Sequence, residues 1–414
     1  MKIAMISLCD SPLTALRDPD AAGRRLHVAK LAQELRRLGH DLTVYTRRTG
    51  GRLPDPVRAE EGFDVVHVPA GPDDEDVVPH IGEFAQFLTD RWASGAPDVI
   101  HAHHWTSGLA AVLSARRSAI PVVQSYHGLE GGGSAEIERL VGGGVTAVIA
   151  SSGQEADELA RMGVRRSRIS TVPWGVDTRL FTPNGPAAPR DGRSRVLTAG
   201  GLAPHDGVDD LITALTVVSC TELVVAGGPR RSELAGDADF RRLSALAERL
   251  GVADRVSFLG RVRHSDMPAL IRSADVVACP SRRPSFGIVA LEAMACGVPV
   301  VASTAGGLAE SVVHEVTGLH VPPRKPALLA RALRSLLADE VRRQELGAAG
   351  QDRTHIRYAW GRVVPDVVRA YHQATGPEVI TSQRKPAQPY ARVRRTPAGG
   401  ERPSDVDGAG AVAR

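Results

Sequence analysis

Four cysteines in 414 residues, none in a C-x-x-C spacing, are too few and too scattered for a disulfide framework or a thiolate metal site. Cys9, Cys220, Cys279 and Cys296 lie in or near apolar stretches, the pattern of buried, reduced thiols, so the expected compartment is the cytoplasm. No segment approaches the roughly 18 uninterrupted apolar residues of a membrane span. The opening MKIAMISLCDSP holds one lysine and an apolar run too short for a secretory leader. No G-x-G-x-x-G follows the first apolar run, where LCDSPL stands, and there is no P-loop. The GGG runs at 131–133 and 142–144 lack that context, so no nucleotide cofactor is expected. The acid pairs DPD (18–20), DAD (237–239) and DVD (405–407) fall in loops or tail, and the histidines of HAHH (101–104) alternate along a strand end. Neither pattern gathers ligands for a metal, and none is expected.

Charge of either sign is scarce in excess. Seven basic and three acidic residues lie between Thr381 and Arg414, which accounts for the whole net charge of +4 and leaves the body balanced. This Pro/Gly/Arg-rich stretch cannot bury a core and is expected to be a disordered, solvated tail rather than a nucleic-acid or membrane contact.

What is present is a rhythm. KIAMISL (2–8) reads as a buried strand, and RRLHVAKLAQELRRLGH (24–40) as a helix with Leu26, Ala29, Leu31, Ala32, Leu35 and Leu38 on one stripe. DLTVYTRR, FDVVHVPA, DVIHAHH, PVVQSYHG and TAVIASS repeat the strand pattern. After the break FTPNGPAAPRDGRSR (181–195), the runs RVLTAGGL, ELVVAGGP, RVSFLGRV, DVVACPS and PVVAST start it again. Apolar strands alternating with helices make a parallel sheet covered on both faces. The fold class is therefore α/β, with two Rossmann-like, doubly wound domains facing a central cleft, the place where strand carboxyl ends meet ligands.

The segments GHDLTVYTRR, HAHHWTSGLA, VPWGVDTRLFTPNGP, DMPALIRSADVV, FGIVALEAMACGVPVVAS and VTGLHVPP resemble the retaining nucleotide-sugar glycosyltransferases of GT-B fold, family 4. The likeness is to their actinobacterial D-inositol-3-phosphate glycosyltransferase-like members, and it runs from residue 2 to about 374. It implies an acceptor-side domain at 1–185, a donor domain at 186–356, a helix at 357–375 crossing back to the first domain, with a kink at Pro365, and the tail at 376–414. The reaction it implies is hexosyl transfer from a nucleotide diphosphate sugar to a small-molecule acceptor. His127 then lies near the donor sugar, Glu292 takes the ribose hydroxyls, and Arg261 lies by the base. Gly287 and Ile288 open a helix toward the phosphates, and Gly306 and Gly307 allow close backbone approach. Gly23 and His103 fall on the acceptor side. Read without the resemblance, Glu292 is a surface glutamate on an amphipathic helix, His127 a core histidine, and Gly306–Gly307 a plain turn.

The donor side also departs from the pattern. In GGLAPHDG (200–207), Gly201 stands where the family has arginine and Asp206 where it has lysine; Pro284 replaces the first acid of E-x7-E. Hydrogen bonds to charged groups contribute about 1.5–3 kcal/mol each. Losing two removes about 3–6 kcal/mol, or two to four powers of ten in affinity. Arg282 and Arg283 are either compensating cations or a solvated pair. The alternative to a working enzyme is an impaired paralogue that serves as a binding or regulatory subunit with a partner protein.

Overall fold

Short apolar runs form the strands, and most of the longer stretches between them coil into helices. The structure is a computed structural model and describes residues 1–9, 11–13, 23–49, 56–72, 76–116, 118–283 and 286–376. Pro284 and the basic tail lie outside the described residues.

The first sheet contains β1 (Lys2–Ile6), β2 (Asp41–Arg47), β3 (Val57–Arg58), β4 (Asp64–Val68), β5 (Val99–His103), β6 (Val122–Ser125), β7 (Ala147–Ala150) and β8 (Ile169–Thr171). Their order is β3-β4-β2-β1-β5-β6-β7-β8, parallel except for β3 against β4. The second sheet contains β9 (Ser194–Gly200), β10 (Thr221–Gly227), β11 (Val256–Gly260), β12 (Val276–Cys279), β13 (Val300–Ser303) and β14 (Gly318–Val321). It is wholly parallel, in the order β11-β10-β9-β12-β13-β14. β3, β8 and β14 are too short, or too interrupted by glycine, to stand out in the sequence. Strand order reverses beside β1 in one sheet and beside β9 in the other, and these are the points where a parallel sheet opens a crevice.

The helices that bear on the site include α1 (Gly23–Arg37), α2 (Gly153–Met162), α3 (Val208–Leu215), α4 (Ile288–Ala295), α5 (Leu308–Ser311) and α6 (Trp360–Thr375). In α1, Leu26 is half-buried where it lines a cavity, and Ala29, Leu31, Ala32 and Leu35 are buried as the stripe predicts, with Val28 buried beside them. Leu38 is not: it lies past the helix end and is 55% exposed. α6 runs through Pro365 and buries Trp360, Val363, Val364, Val367, Ala370 and Tyr371 in one core with Ile3, Val44, Val99 and Val123 of the first sheet.

Two chain crossings lie side by side at the base of the cleft. The Val176 amide donates to the Tyr358 carbonyl at 2.8 Å. The Trp360 indole covers Gly175 so closely that a Cβ there would come within 2.4 Å of Cδ2. Glycine in VPWGVD is therefore required by packing against α6.

Candidate functional site

A cavity of about 480 Å³ opens at the carboxyl end of β9, where the second sheet reverses its order. Thr198, Ala199, Gly200 and Gly201 line it from β9 and its loop, and Pro280 and Ser281 line it from the end of β12. Gly287, Ile288, Val289 and Glu292 of α4 form another wall. Across the cleft, Gly23, Leu26, His27 and Lys30 of α1 complete it.

α4 begins from Gly287, whose φ of 79° is a left-handed conformation that favours glycine. A Cβ there would also meet Leu308 Cδ2 at 2.3 Å. The helix is buried all round from Ala290 to Ala295, so Glu292 is not the exposed face of an amphipathic helix. Glu292 is 6% exposed, and burial pushes its carboxyl pKa up to about 8. His264 Nδ1 lies 3.8 Å from Oε1, and burial lowers that imidazole to about 4. Burial therefore favours the uncharged form of both groups. The Cys279 thiol in the same wall is pushed up to about 12, first by burial and then by Glu292.

The β9–α3 loop carries an acid into the cavity wall. Asp206 Oδ2 accepts a hydrogen bond from the Ala203 amide at 3.0 Å. The same oxygen stands 2.3 Å from where a Cβ of residue 201 would lie, so the two residues fill one space. Burial raises the Asp206 pKa, opposed by His205.

Arg282 does not compensate for the missing cations. Its guanidinium is held by Asp209 at 3.0 Å, Asp210 at 2.9 Å and the Pro204 carbonyl at 2.7 Å. Arg283 Nη2 meets His205 Nδ1 at 3.1 Å. The adjacent acids at the start of α3 decide the direction of Arg282, and neither arginine lines the cavity.

Among the described residues that line the cavity, the fixed cation is Lys30. Its ammonium is 3.8 Å from Asp177 Oδ2 and 3.4 Å from Gln33 Oε1, both long contacts. Lys30, Asp177 and His264 escaped the sequence reading. The signal for Lys30 was there in the helical spacing 23–27–30, which puts it on the face of Gly23 and His27.

His127 lies beside this cavity rather than in its wall. It lines an adjoining space of about 20 Å³, which shares His27 with the larger one. His103 Nδ1 and His127 Nε2 are 2.9 Å apart and the rings stack at 5.2 Å, so one nitrogen donates and the other accepts. Burial drives both imidazoles well below the ordinary histidine range. His101 continues the set, with Nδ1 2.7 Å from the Tyr371 hydroxyl and Nε2 3.0 Å from Ser125 Oγ. On the other side His127 meets the rings of His27 and Trp174, and Trp174 reaches Phe286. Arg261 is exposed and its neighbour Val262 lines the cavity; likewise Leu308 lines it rather than Gly306 or Gly307.

Comparison with known proteins gives this geometry its context. Residues 23–180 match the family model described as Glycosyltransferase Family 4, and residues 186–353 match Glycosyl transferases group 1. D-inositol 3-phosphate glycosyltransferase of Xylanimonas cellulosilytica is 35% identical over 412 residues, covering 90% of this chain and 97% of that protein. D-inositol 3-phosphate glycosyltransferase 1 of Catenulispora acidiphila is 34% identical, covering 90% and 96%. The chain belongs to glycosyltransferase family 4. Among solved structures, sucrose-phosphate synthase from Thermosynechococcus elongatus superposes with a TM-score of 0.78 at 26% identity, covering 90% of this chain and 98% of that one. The two sheets and the cleft between them are those of a GT-B glycosyltransferase, an enzyme class that uses nucleotide sugars. No helix among the described residues is long and apolar enough to cross a membrane.

Proposed function

We propose that the chain transfers a hexosyl group from a nucleotide diphosphate sugar to a small-molecule acceptor, with retention at the anomeric carbon. One observation carries the reading. Glu292 is a buried carboxyl in the wall of a cavity at the switch point of the second sheet, in a helix whose first residues line the same space. A buried carboxyl beside a neutral imidazole is costly unless a ligand meets it, and a pair of ribose hydroxyls does so. The start of α4 suits the diphosphate, with Gly306 and Gly307 giving the backbone room nearby. Arg261 is assigned to the edge by the base, His127 to the sugar, and Gly23 with His103 to the acceptor side.

In this reading the C1–O bond to the diphosphate breaks as the sugar takes on oxocarbenium character. The acceptor hydroxyl attacks from the same face, its oxygen bonds to C1, and its proton passes to the departing phosphate oxygen. No protein nucleophile is required, so the rate depends on positioning and on positive charge near the leaving group. Lys30 is one cation where the family pattern has two others, and turnover is expected to be slow.

Asp206 in the cavity wall favours the second reading, an impaired paralogue that keeps the scaffold as a binding or regulatory subunit. Proton NMR of sugar released from UDP- and GDP-linked α-hexoses separates the two. The first-formed product is expected to be the α-anomer; a β-anomer contradicts retention, and no release from any donor supports the second reading.

A further inference from the structure

The sequence SSGQE (151–155) carries a capping signature for α2, serine followed three residues later by glutamate. Ser152 Oγ does accept from the Glu155 amide at 3.1 Å. Glu155, however, does not close the box on the Ser152 amide. Its Oε2 accepts from the Ser151 amide at 2.6 Å, and its Oε1 reaches out of the helix to the Gly128 amide at 2.9 Å. Gly128 follows His127, whose φ of 62° is a left-handed conformation uncommon outside glycine. A buried carboxylate thus holds the turn that carries His127.

The two amides that α2 leaves unpaired at its start are taken from the other domain. Glu310 Oε2 accepts from the Gly153 amide at 2.9 Å, and Oε1 from the Gln154 amide at 2.8 Å. A negative charge at a helix N-terminus is favourable as well as geometrically apt. A Cβ at residue 153 would stand 3.2 Å from Oε1, so glycine there gives the carboxylate its room. Glu310 belongs to α5, which supplies Leu308 to the donor-side cavity. Arg353 fixes that turn from behind, donating to the Glu310 carbonyl at 2.7 Å and the Ser311 carbonyl at 3.0 Å.

We propose that Glu310 and Glu155 are positioning residues that couple the donor-side loop of the second domain to the His127 turn of the first, through the N-terminus of α2. The proposal rests on the glycosyltransferase reading only for its effect on turnover. The clasp itself is measurable without any donor.

The test is amide hydrogen exchange on the full chain for the wild type, Glu310→Gln and Glu310→Ala. Glu310 is exposed, so its replacement leaves the core intact, and water limits each bond to a modest contribution. With Glu310→Ala the amides at 153–154 should exchange about tenfold faster, and the segment 126–129 should also speed up. Glu310→Gln, which keeps one acceptor oxygen, should fall between. The UDP- or GDP-sugar hydrolysed fastest supplies the second readout. There kcat should fall about tenfold in Glu310→Ala while the donor KM changes much less. Unchanged exchange at 153–154 overturns the clasp. Faster exchange confined to 153–154, with 126–129 unaltered, overturns the coupling. If no donor is hydrolysed, the functional reading fails while the exchange result still decides the clasp.

Discussion

Glycosyl-donor binding should tighten by about two to four powers of ten when Gly201→Arg and Asp206→Lys are combined, the gain of two charge-assisted hydrogen bonds at about 1.5–3 kcal/mol each. Gly201→Arg alone should not achieve its share. An arginine at 201 alone meets the Asp206 carboxylate, which stands 2.3 Å from the new Cβ and is tethered to the Ala203 amide. A lysine at 206 alone removes that acid and supplies one cation, but leaves the second site empty. The two substitutions share one space, so their effects should be non-additive, with a coupling that calorimetry on the four proteins reads directly. Additive effects, or no gain in the double variant, would contradict the view that the Gly201–Asp206 pair is what weakens this donor site.

Glu292→Gln should change both donor binding and the pH dependence of stability. In the folded chain burial holds the Glu292 carboxyl at about 8, against an ordinary value of 4.5. The folded state keeps a proton that the unfolded state releases. The stability from this group is therefore fully present below about pH 4.5 and is lost as pH rises to about 8, at about 1.4 kcal/mol per pH unit. Glutamine cannot ionise and carries no such slope. Urea unfolding between pH 4.5 and 8.5 should show the variant gaining on the wild type throughout that window, then levelling off. A difference that does not vary with pH would mean that Glu292 titrates normally and is not held in a dry wall.

The sequence announces the layers of this fold because each parallel strand is buried on both faces and therefore reads as a plain apolar run. Glu292 and Gly287 were legible for a related reason: a carboxylate and a helix-opening glycine stand out in a segment otherwise built for the core. What stayed hidden depends on contacts across the chain. The pairing of Arg282 with Asp209 and Asp210 joins residues some seventy positions apart, and it turns away from the cavity a cation that sequence proximity had placed beside it. The clasp of Glu310 on Gly153 spans 157 positions. The ring packing of Trp174 and His27 on His127, at the smaller space that adjoins the cavity, likewise joins residues far apart in the chain. The exchange of arginine for glycine at 201 also looked like a simple loss. In the folded chain it is one half of a steric pair with Asp206.

The most direct test of the account is calorimetry of the wild type and Glu292→Gln against a panel of UDP- and GDP-sugars. The cavity reading predicts saturable binding of at least one donor to the wild type, lost or greatly weakened in the variant. Binding that Glu292→Gln leaves unchanged, or no binding of any donor, would contradict it.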